Sequence, residues 1–279
     1  MSVRALLTRA TERLTAAGVP SPRTDAELLL AHVVGTARSM LGLHDAPSSS
    51  ERAAFDELLR RRVAREPLQH LTGRAAFRYL ELEVGPGVFI PRPETETLVG
   101  WALQVLADTG APPRVVDLCT GSGAIAAAIA GEAPGSTVHA VEVDPAAYVY
   151  AERNLSRTDV DLRLGDITDS FDDLDQKVDL VLANPPYVPE PSADSVEPEV
   201  REYDPEAALW SGPDGLGMIR QVERVAYQLL RPGGRVGCEH ADEQGVTAPE
   251  VFAAGGHWRD VEDHNDLAGR PRFVTARKR

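Results

Sequence analysis

The sequence predicts an α/β protein: a doubly wound sheet of about seven strands, preceded by a small all-α N-terminal domain and joined to it by a β-hairpin. Three observations carry that expectation. The apolar run Arg114-Val115-Val116-Asp117-Leu118 leads into the turn Cys119-Thr120-Gly121-Ser122-Gly123 and then into small residues, which reads as strand, tight turn and helix. A second apolar run, residues 178–183, stops abruptly at Asn184-Pro185-Pro186-Tyr187. Ahead of both, residues 1–66 place their apolar side chains at helical spacing.

Taken in order, Val3, Leu6, Leu7, Ala10, Leu14 and Ala17 predict a helix ended by Gly18 and Pro20. Others follow over 25–34 and, more briefly, 36–43. Ser48 and Glu51 form a capping-box pattern before a helix through Arg65, which Pro67 stops. Gln69-His70-Leu71-Thr72-Gly73 and the alternating Leu80-Glu81-Leu82-Glu83-Val84 predict the hairpin, with His70 a polar linker residue. The expected domains are therefore 1–66, a linker over 67–90, and 91–279.

Thr95 and Glu96 suit the first turn of a helix through Leu106. The rigid Pro91-Arg92-Pro93 shoulder before them exceeds what a cap requires. Strands are expected over 114–118, 137–143, 160–166, 178–187 and 235–239, then over 257–261 and 272–276, the last two antiparallel. Helices are expected over 124–130, up to Leu230, and over 243–253. Residues 188–213 form a long Pro- and Glu-rich loop, of the kind that serves as a lid or is disordered, although 203–209 and 212–216 read as ordered.

Charge narrows the function. The net charge is −14, but residues 1–85 carry 12 Lys and Arg against 10 Asp and Glu, a net of +2. Residues 86–279 carry 17 against 33, a net of −16, a poor match for a phosphate backbone. Direct nucleic-acid binding is not expected. The run Arg60-Arg61-Arg62 with Arg65 reads as a solvated helix face. Cys119 and Cys238 are too few and too far apart for a disulfide framework or a zinc site, so no metal is expected and both read as buried thiols of a cytoplasmic protein. No apolar run approaches membrane-spanning length.

The glycine turn and Glu142, 21 positions after Gly121, form a nucleoside-binding βαβ pattern: glycines admit the ligand, and the carboxylate can hold two ribose hydroxyls. Gly121-Ser122-Gly123-Ala124-Ile125-Ala126 also satisfies the dinucleotide pattern, so an NAD-dependent oxidoreductase is a competing reading. Asp166 can accept an adenine amino group or cap the next short helix; position alone does not decide. At Asn184, two prolines with fixed φ and no N–H make a stiff corner at a strand's carboxyl end, where ligands bind in open α/β sheets.

Together, Gln69-His70-Leu71-Thr72-Gly73, Ile90-Pro91-Arg92-Pro93-Glu94-Thr95-Glu96, Asp117 through Gly123, Asn184-Pro185-Pro186-Tyr187, Pro205 through Leu209 and Asp214-Gly215-Leu216 resemble the release factor glutamine methyltransferase family over essentially the whole chain. The resemblance implies a Rossmann-like class I methyltransferase sheet and transfer of a methyl group from S-adenosyl-L-methionine. The acceptor would be the side-chain amide nitrogen of the glutamine in the Gly-Gly-Gln motif of peptide chain release factors. By the same resemblance Cys119, Thr120, Gly121, Ser122, Gly123, Glu142, Asp166, Ile167 and Asn184 would line the donor site. Asn184, Pro185, Pro186 and Tyr187 would hold the glutamine, with Phe89 and Arg92 nearby, and Asn184, Pro185 and Tyr187 would be catalytic. Cys119 stands where the family often has Gly, and Glu142 where Asp is common.

The chemistry suits the corner. An amide nitrogen has its lone pair delocalised, so Asn184 Oδ1 and the Pro185 carbonyl, each accepting one amide N–H, would turn that lone pair toward the methyl group. Positioning of this kind is worth ~7–11 kcal/mol. No histidine is needed: His139, His240 and His264 fall in separate elements. The same corner suits methylation of exocyclic amines of adenine or guanine in nucleic acid, which the acidic charge disfavours, and a non-catalytic adenosyl-binding module is a further alternative. Residues 1–66 and 188–213 are expected to supply the surface that recognises a protein substrate.

Overall fold

The computed structural model describes residues 1–109, 112–195 and 197–279. These fall into two compact units, residues 1–74 with 197–203, and residues 75–196 with 204–279. The division departs from the expected partition at 66 and 90: the hairpin strands lie mostly in the larger unit, and a piece of the long loop lies in the smaller one.

The smaller unit is helical. Helix α1 (Val3–Ala16) starts at Ser2, whose hydroxyl accepts from the Ala5 N–H, and α2 (Pro22–Val34) starts on Pro22 and ends at Gly35 in the left-handed conformation. A 3₁₀ turn (Arg38–Leu43) takes the place of the third helix expected there. Helix α3 (Ser49–Val63) has the full capping box, Ser48 Oγ accepting from the Glu51 N–H and Glu51 from the Ser48 N–H. Leu6, Leu14, Leu29, Leu30, Phe55 and Leu59 interlock in its core.

Helix α8 (Pro198–Tyr203), from the long loop, belongs to this unit. Glu199 accepts from Arg65 Nε at 2.6 Å and from Arg62 Nη1 at 3.1 Å, and Arg62, 5% exposed, also donates to Asp25 at 2.8 Å. The arginine run expected as a solvated face is therefore split. Arg60 is exposed beside Glu57, whereas Arg62 and Arg65 face inward to hold α8. The short α4 (Leu68–Thr72) carries His70 into a buried position, not onto a linker.

The larger unit is a seven-stranded sheet in the order β5-β4-β3-β6-β7-β9-β8, comprising β3 (Arg114–Leu118), β4 (Thr137–Glu142), β5 (Asp161–Leu164), β6 (Val178–Ala183), β7 (Leu230–Glu239), β8 (Trp258–Asn265) and β9 (Pro271–Lys278). The first five strands pair in parallel, and β9 is antiparallel to both β7 and β8. The hairpin β1 (Arg74–Phe77) and β2 (Leu80–Glu83) stands apart as its own two-stranded sheet.

Helices cover both faces, as a parallel sheet requires. On one lie α5 (Thr95–Ala107), α6 (Ala124–Glu132) and α7 (Pro145–Leu155), burying Leu98, Ile125, Ile129 and Ala151 against Val115 and Leu180. On the other lie α9 (Gly217–Leu229) and α10 (Thr247–Ala253), burying Ile219, Val222 and Phe252 against Val181, Val236 and Val274. Strand order reverses between β3 and β6, so the carboxyl ends of β3, β4 and β6 meet at the switch point where such sheets open a crevice.

Candidate active site

Three strand ends build the site. At the end of β3 the backbone turns sharply through Cys119, at φ +59°, and Gly121, at φ +58°, before α6 begins. A left-handed residue with a Cβ costs about 1–2 kcal/mol, which explains why glycine suits position 119. The Cys119 side chain repays part of that by packing on the core beneath. Burial and the nearby Glu142 and Asp117 carboxylates push its thiol well above its ordinary value, so it stays protonated.

Asp117 anchors the turn from below. It is fully buried, and its Oδ2 accepts from Thr120 Oγ1 at 2.5 Å and from the Ala126 N–H at 3.2 Å, while Oδ1 makes no hydrogen bond. Burial pushes its carboxyl up to about 7.

Glu142 closes the turn at the end of β4. Its two oxygens accept from the Gly121 N–H at 2.8 Å and the Asp144 N–H at 2.9 Å. The longer arm of Glu thus reaches the glycine turn itself. Burial raises its carboxyl, with the three backbone N–H groups opposing. Asp166, after β5, is exposed; its Oδ1 accepts from the Thr168 N–H and hydroxyl, which settles its local role as a turn cap and leaves the rest of the carboxylate outward. Ile167 is buried in the core behind it.

A Cβ on Gly121 would meet nothing within 4 Å, so the turn opens onto free space. Beside that space Val143 and Leu164 are 59% and 53% exposed, apolar side chains displayed at the carboxyl ends of β4 and β5. The sequence reading missed both, because exposure of a strand-end Val or Leu has no sequence signal. A carboxylate at a strand end, an open glycine turn and two apolar flanks fit a nucleoside-bearing cofactor.

The third strand end is the Asn184 corner. Pro185 is buried, while Asn184, Pro186 and Tyr187 are half-buried. Asn184 Nδ2 donates to Thr95 Oγ1 at 3.1 Å, Thr95 Oγ1 donates to Glu239 Oε2 at 2.7 Å, and the Tyr187 hydroxyl donates to Glu239 Oε1 at 3.2 Å. Among the described residues no hydrogen bond is made to the Pro185 carbonyl. Gln244 Nε2 donates to the Tyr187 carbonyl at 3.1 Å and to that of Asp214 at 3.3 Å. Burial, Glu239 and their hydrogen bond push the Tyr187 phenol well up, so it stays protonated.

Thr95, Glu239 and Gln244 were absent from the expected site. Thr95 was expected to serve the helix start; its hydroxyl instead crosses to β7, and Glu94 is the cap residue. Arg92 is nearby as expected, but it is engaged: its guanidinium donates to the buried Asp204 at 2.5 Å and lies 4.8 Å over the Phe89 ring. Burial pushes the Asp204 carboxyl up to about 6 against the pull of Arg92. Phe89 and Arg92 therefore form a braced wall that fixes residue 204 beside the corner. The histidines take structural partners, His240 with Asp263 at 2.8 Å, His139 with Asp161 at 2.9 Å and His264 with Thr275 at 2.8 Å.

Comparison with known proteins follows the same lines. Residues 5–73 match the PrmC N-terminal domain, and residues 97–197 match the methyltransferase small domain. The chain is 56% identical over 271 residues to a release factor glutamine methyltransferase of Streptomyces coelicolor, covering 97% of this chain and 96% of that one. It is 48% identical to one of Mycolicibacterium smegmatis over 276 residues, covering 98% and 97%. A 4-amino-L-phenylalanine/4-methylamino-L-phenylalanine methyltransferase of Streptomyces pristinaespiralis is 41% identical over 258 residues, covering 90% and 87%. Among solved structures, the hMettl16 catalytic domain with an RNA hairpin superimposes with a TM-score of 0.55 at 16% identity, covering 71% of this chain and 75% of that one, a likeness of fold alone.

Proposed function

Because the chain belongs to the release factor glutamine methyltransferase family, we propose that it transfers a methyl group from S-adenosyl-L-methionine to the side-chain amide nitrogen of the glutamine in the Gly-Gly-Gln motif of peptide chain release factors. The observation that carries the reading is the Asn184 corner, with one carboxamide oxygen and one proline carbonyl presented beside the glycine cradle.

S-adenosyl-L-methionine supplies a methyl group on a sulfonium, an electrophile with a neutral leaving group. The chain's part is to hold and orient. Glu142 would hold the ribose hydroxyls, the backbone from Cys119 to Gly123 would line the donor, and Val143 and Leu164 with Asp166 and Ile167 would flank the base. Asn184 Oδ1 and the Pro185 carbonyl each accept an N–H of the substrate amide, which localises the nitrogen lone pair and aims it at the donor; one of those two protons is lost to solvent after the methyl group has moved from sulfur to nitrogen. Tyr187 packs on the planar amide, its hydroxyl tethered to Glu239. Pro186 keeps the corner rigid, and Phe89 with Arg92 walls the pocket. Fixed donors and acceptors of this kind contribute ~3–4 kcal/mol per group, comparable per group to the ~10²–10⁴-fold that a general base typically adds.

Release factors are soluble partners of the ribosome, so the reaction belongs to the cytoplasm; no described helix is long and apolar enough to cross a membrane. The relative that acts on an aminophenylalanine favours one second reading, a free arylamine as acceptor.

The test is transfer of labelled methyl to a purified release factor, to the same factor with its Gly-Gly-Gln glutamine changed to alanine, to total RNA and DNA, and to 4-amino-L-phenylalanine. Label in the first alone supports the proposal. Label only in the amino acid or in nucleic acid overturns it.

A further inference from the structure

We propose that Thr95 and Glu239 are positioning residues that lock the Asn184 carboxamide in the one orientation that presents Oδ1 to the acceptor nitrogen. The inference rests on the catalytic reading of Asn184 given above and extends it to two residues on other elements.

A carboxamide is nearly symmetric in shape, and its two ends have opposite hydrogen-bonding sense. Turned over, Asn184 would present Nδ2, a donor, to a substrate amide that needs an acceptor. Something must set the sense. Thr95 Oγ1, the group behind Asn184, is a hydroxyl with one proton and could face either end. Its proton is committed: Glu239 Oε2 lies 2.7 Å away, and an ionised carboxylate only accepts. With that proton spent, Thr95 can only accept from its other neighbour, which must then be Asn184 Nδ2, at 3.1 Å. Oδ1 is left facing the substrate.

Burial makes this a commitment. Thr95 is 3% and Glu239 1% exposed, so water does not compete for either group. The second oxygen of Glu239 takes the Tyr187 hydroxyl at 3.2 Å, so one carboxylate orders both the amide that binds the substrate and the ring that packs on it. The three residues come from the start of α5, the end of β6 and the end of β7, so the sense is fixed by the fold and not by a local turn.

Protonating Glu239 would place a donor in the chain and free Thr95 to face either end of Asn184. Burial pushes its carboxyl up to about 7 while Thr95, Arg272 and Tyr187 oppose and Glu94 adds to the rise. The titratable and charged groups that face it are Tyr187 at the β6 corner, Arg272 on β9, Glu94 before α5 and Cys238 beside it on β7. Activity that depends on the ionised form is full above that value and is lost as pH falls through it.

The experiment compares Thr95→Val, Thr95→Ser, Glu239→Gln and Asn184→Ala with the wild-type chain. It measures kcat and KM for a release factor across pH 5.5–9, the dissociation constant of S-adenosyl-L-methionine, and hydrogen exchange of the Asn184 Nδ2 protons by NMR. Thr95→Val and Glu239→Gln should each lower kcat about 10²-fold, the cost of a misplaced reacting group, with donor affinity unchanged within about threefold. Thr95→Ser should recover most of the Thr95→Val loss. The fall of wild-type kcat below about pH 7 should flatten in Glu239→Gln, and Nδ2 exchange should quicken in Thr95→Val. Wild-type kcat in folded Thr95→Val, or an unaltered pH profile in Glu239→Gln, overturns the inference while leaving Asn184 in place. Full activity in Asn184→Ala overturns the reading of the site and the inference with it.

Discussion

Gly215 lies well apart from the Asn184 corner in sequence, yet its replacement by alanine should disable the site. Its φ is +69°, and a Cβ there would stand 2.3 Å from the Tyr187 carbonyl, 2.7 Å from Gln244 Nε2 and 3.0 Å from Pro189 Cδ, where ordinary contact begins near 3.4 Å. Three costs add. The left-handed backbone costs about 1–2 kcal/mol for a residue with a Cβ, overpacking about 1–3 kcal/mol, and the Gln244 bond to the Tyr187 carbonyl about 1 kcal/mol. The total is about 3–6 kcal/mol. The clash must also be relieved by moving Tyr187 by about 1 Å, a displacement that can cost 10²-fold in rate. Gly212 supplies the control: its φ is +77°, but a Cβ would meet nothing within 4 Å, so Gly212→Ala reports the backbone term alone. Urea denaturation of both variants, with kcat for a release factor, gives the difference. Equal destabilisation by the two substitutions, or wild-type kcat in folded Gly215→Ala, would refute the packing argument.

Further expectations follow from the same geometry. Asn184→Ala should lower kcat about 10²–10³-fold, the loss of one preorganised group, while isothermal titration finds donor affinity nearly unchanged. Glu142→Ala removes the diol acceptor and frees the Gly121 N–H, so the donor dissociation constant should rise about 10–100-fold, the worth of one hydrogen bond to a charged group. Glu199→Ala removes the carboxylate that Arg62 and Arg65 share, leaving Arg62 with Asp25 and Arg65 with the Gly18 carbonyl; because Glu199 is only partly buried, the cost should be about 2–3 kcal/mol, below that of a fully buried pair, with limited proteolysis newly cutting within residues 197–203. Although burial opposes them, Arg65 and Arg62 hold the Glu199 carboxyl below the ordinary glutamate value. Its stabilisation is therefore full above that ordinary value and lost as the pH falls through the lowered one, a dependence that circular-dichroism melts of Glu199→Gln should lack.

The local elements were readable because their causes are local. The apolar runs of β3 and β6, the glycine turn and the Pro-Pro corner each announce themselves within about ten residues, and the capping box at Ser48 is reproduced bond for bond. Helix α7 was overlooked even though Asp144 and Pro145 mark its start, the Asp144 side chain accepting from the Ala146 N–H. What the sequence hid is what depends on distant pairing. Thr95 looks like a helix-start residue from its neighbours, and only its meeting with Glu239, 144 positions away, reveals the rest of its work. Arg62 looks solvated until Glu199, 137 positions on, is placed against it. A helical segment over 36–43 and order over 203–209 were expected, but not the 3₁₀ form they take, nor the turn at 190–195, for a related reason: short elements have too few residues to show a period.

The path of the chain also bears on how such proteins can be recombined. It passes between the two compact units at residue 74, returns at 197 and crosses once more at 203, so helix α8 is lent by the larger unit's sequence to the smaller unit, where Arg62 and Arg65 hold it. A helical unit cut out as residues 1–74 would lack the carboxylate its own arginines are built around. A chimera meant to transplant substrate choice from one homologue to another should therefore carry residues 197–203 with the N-terminal helices, as a two-part cassette, and exchanges that cut only at the hairpin should express poorly.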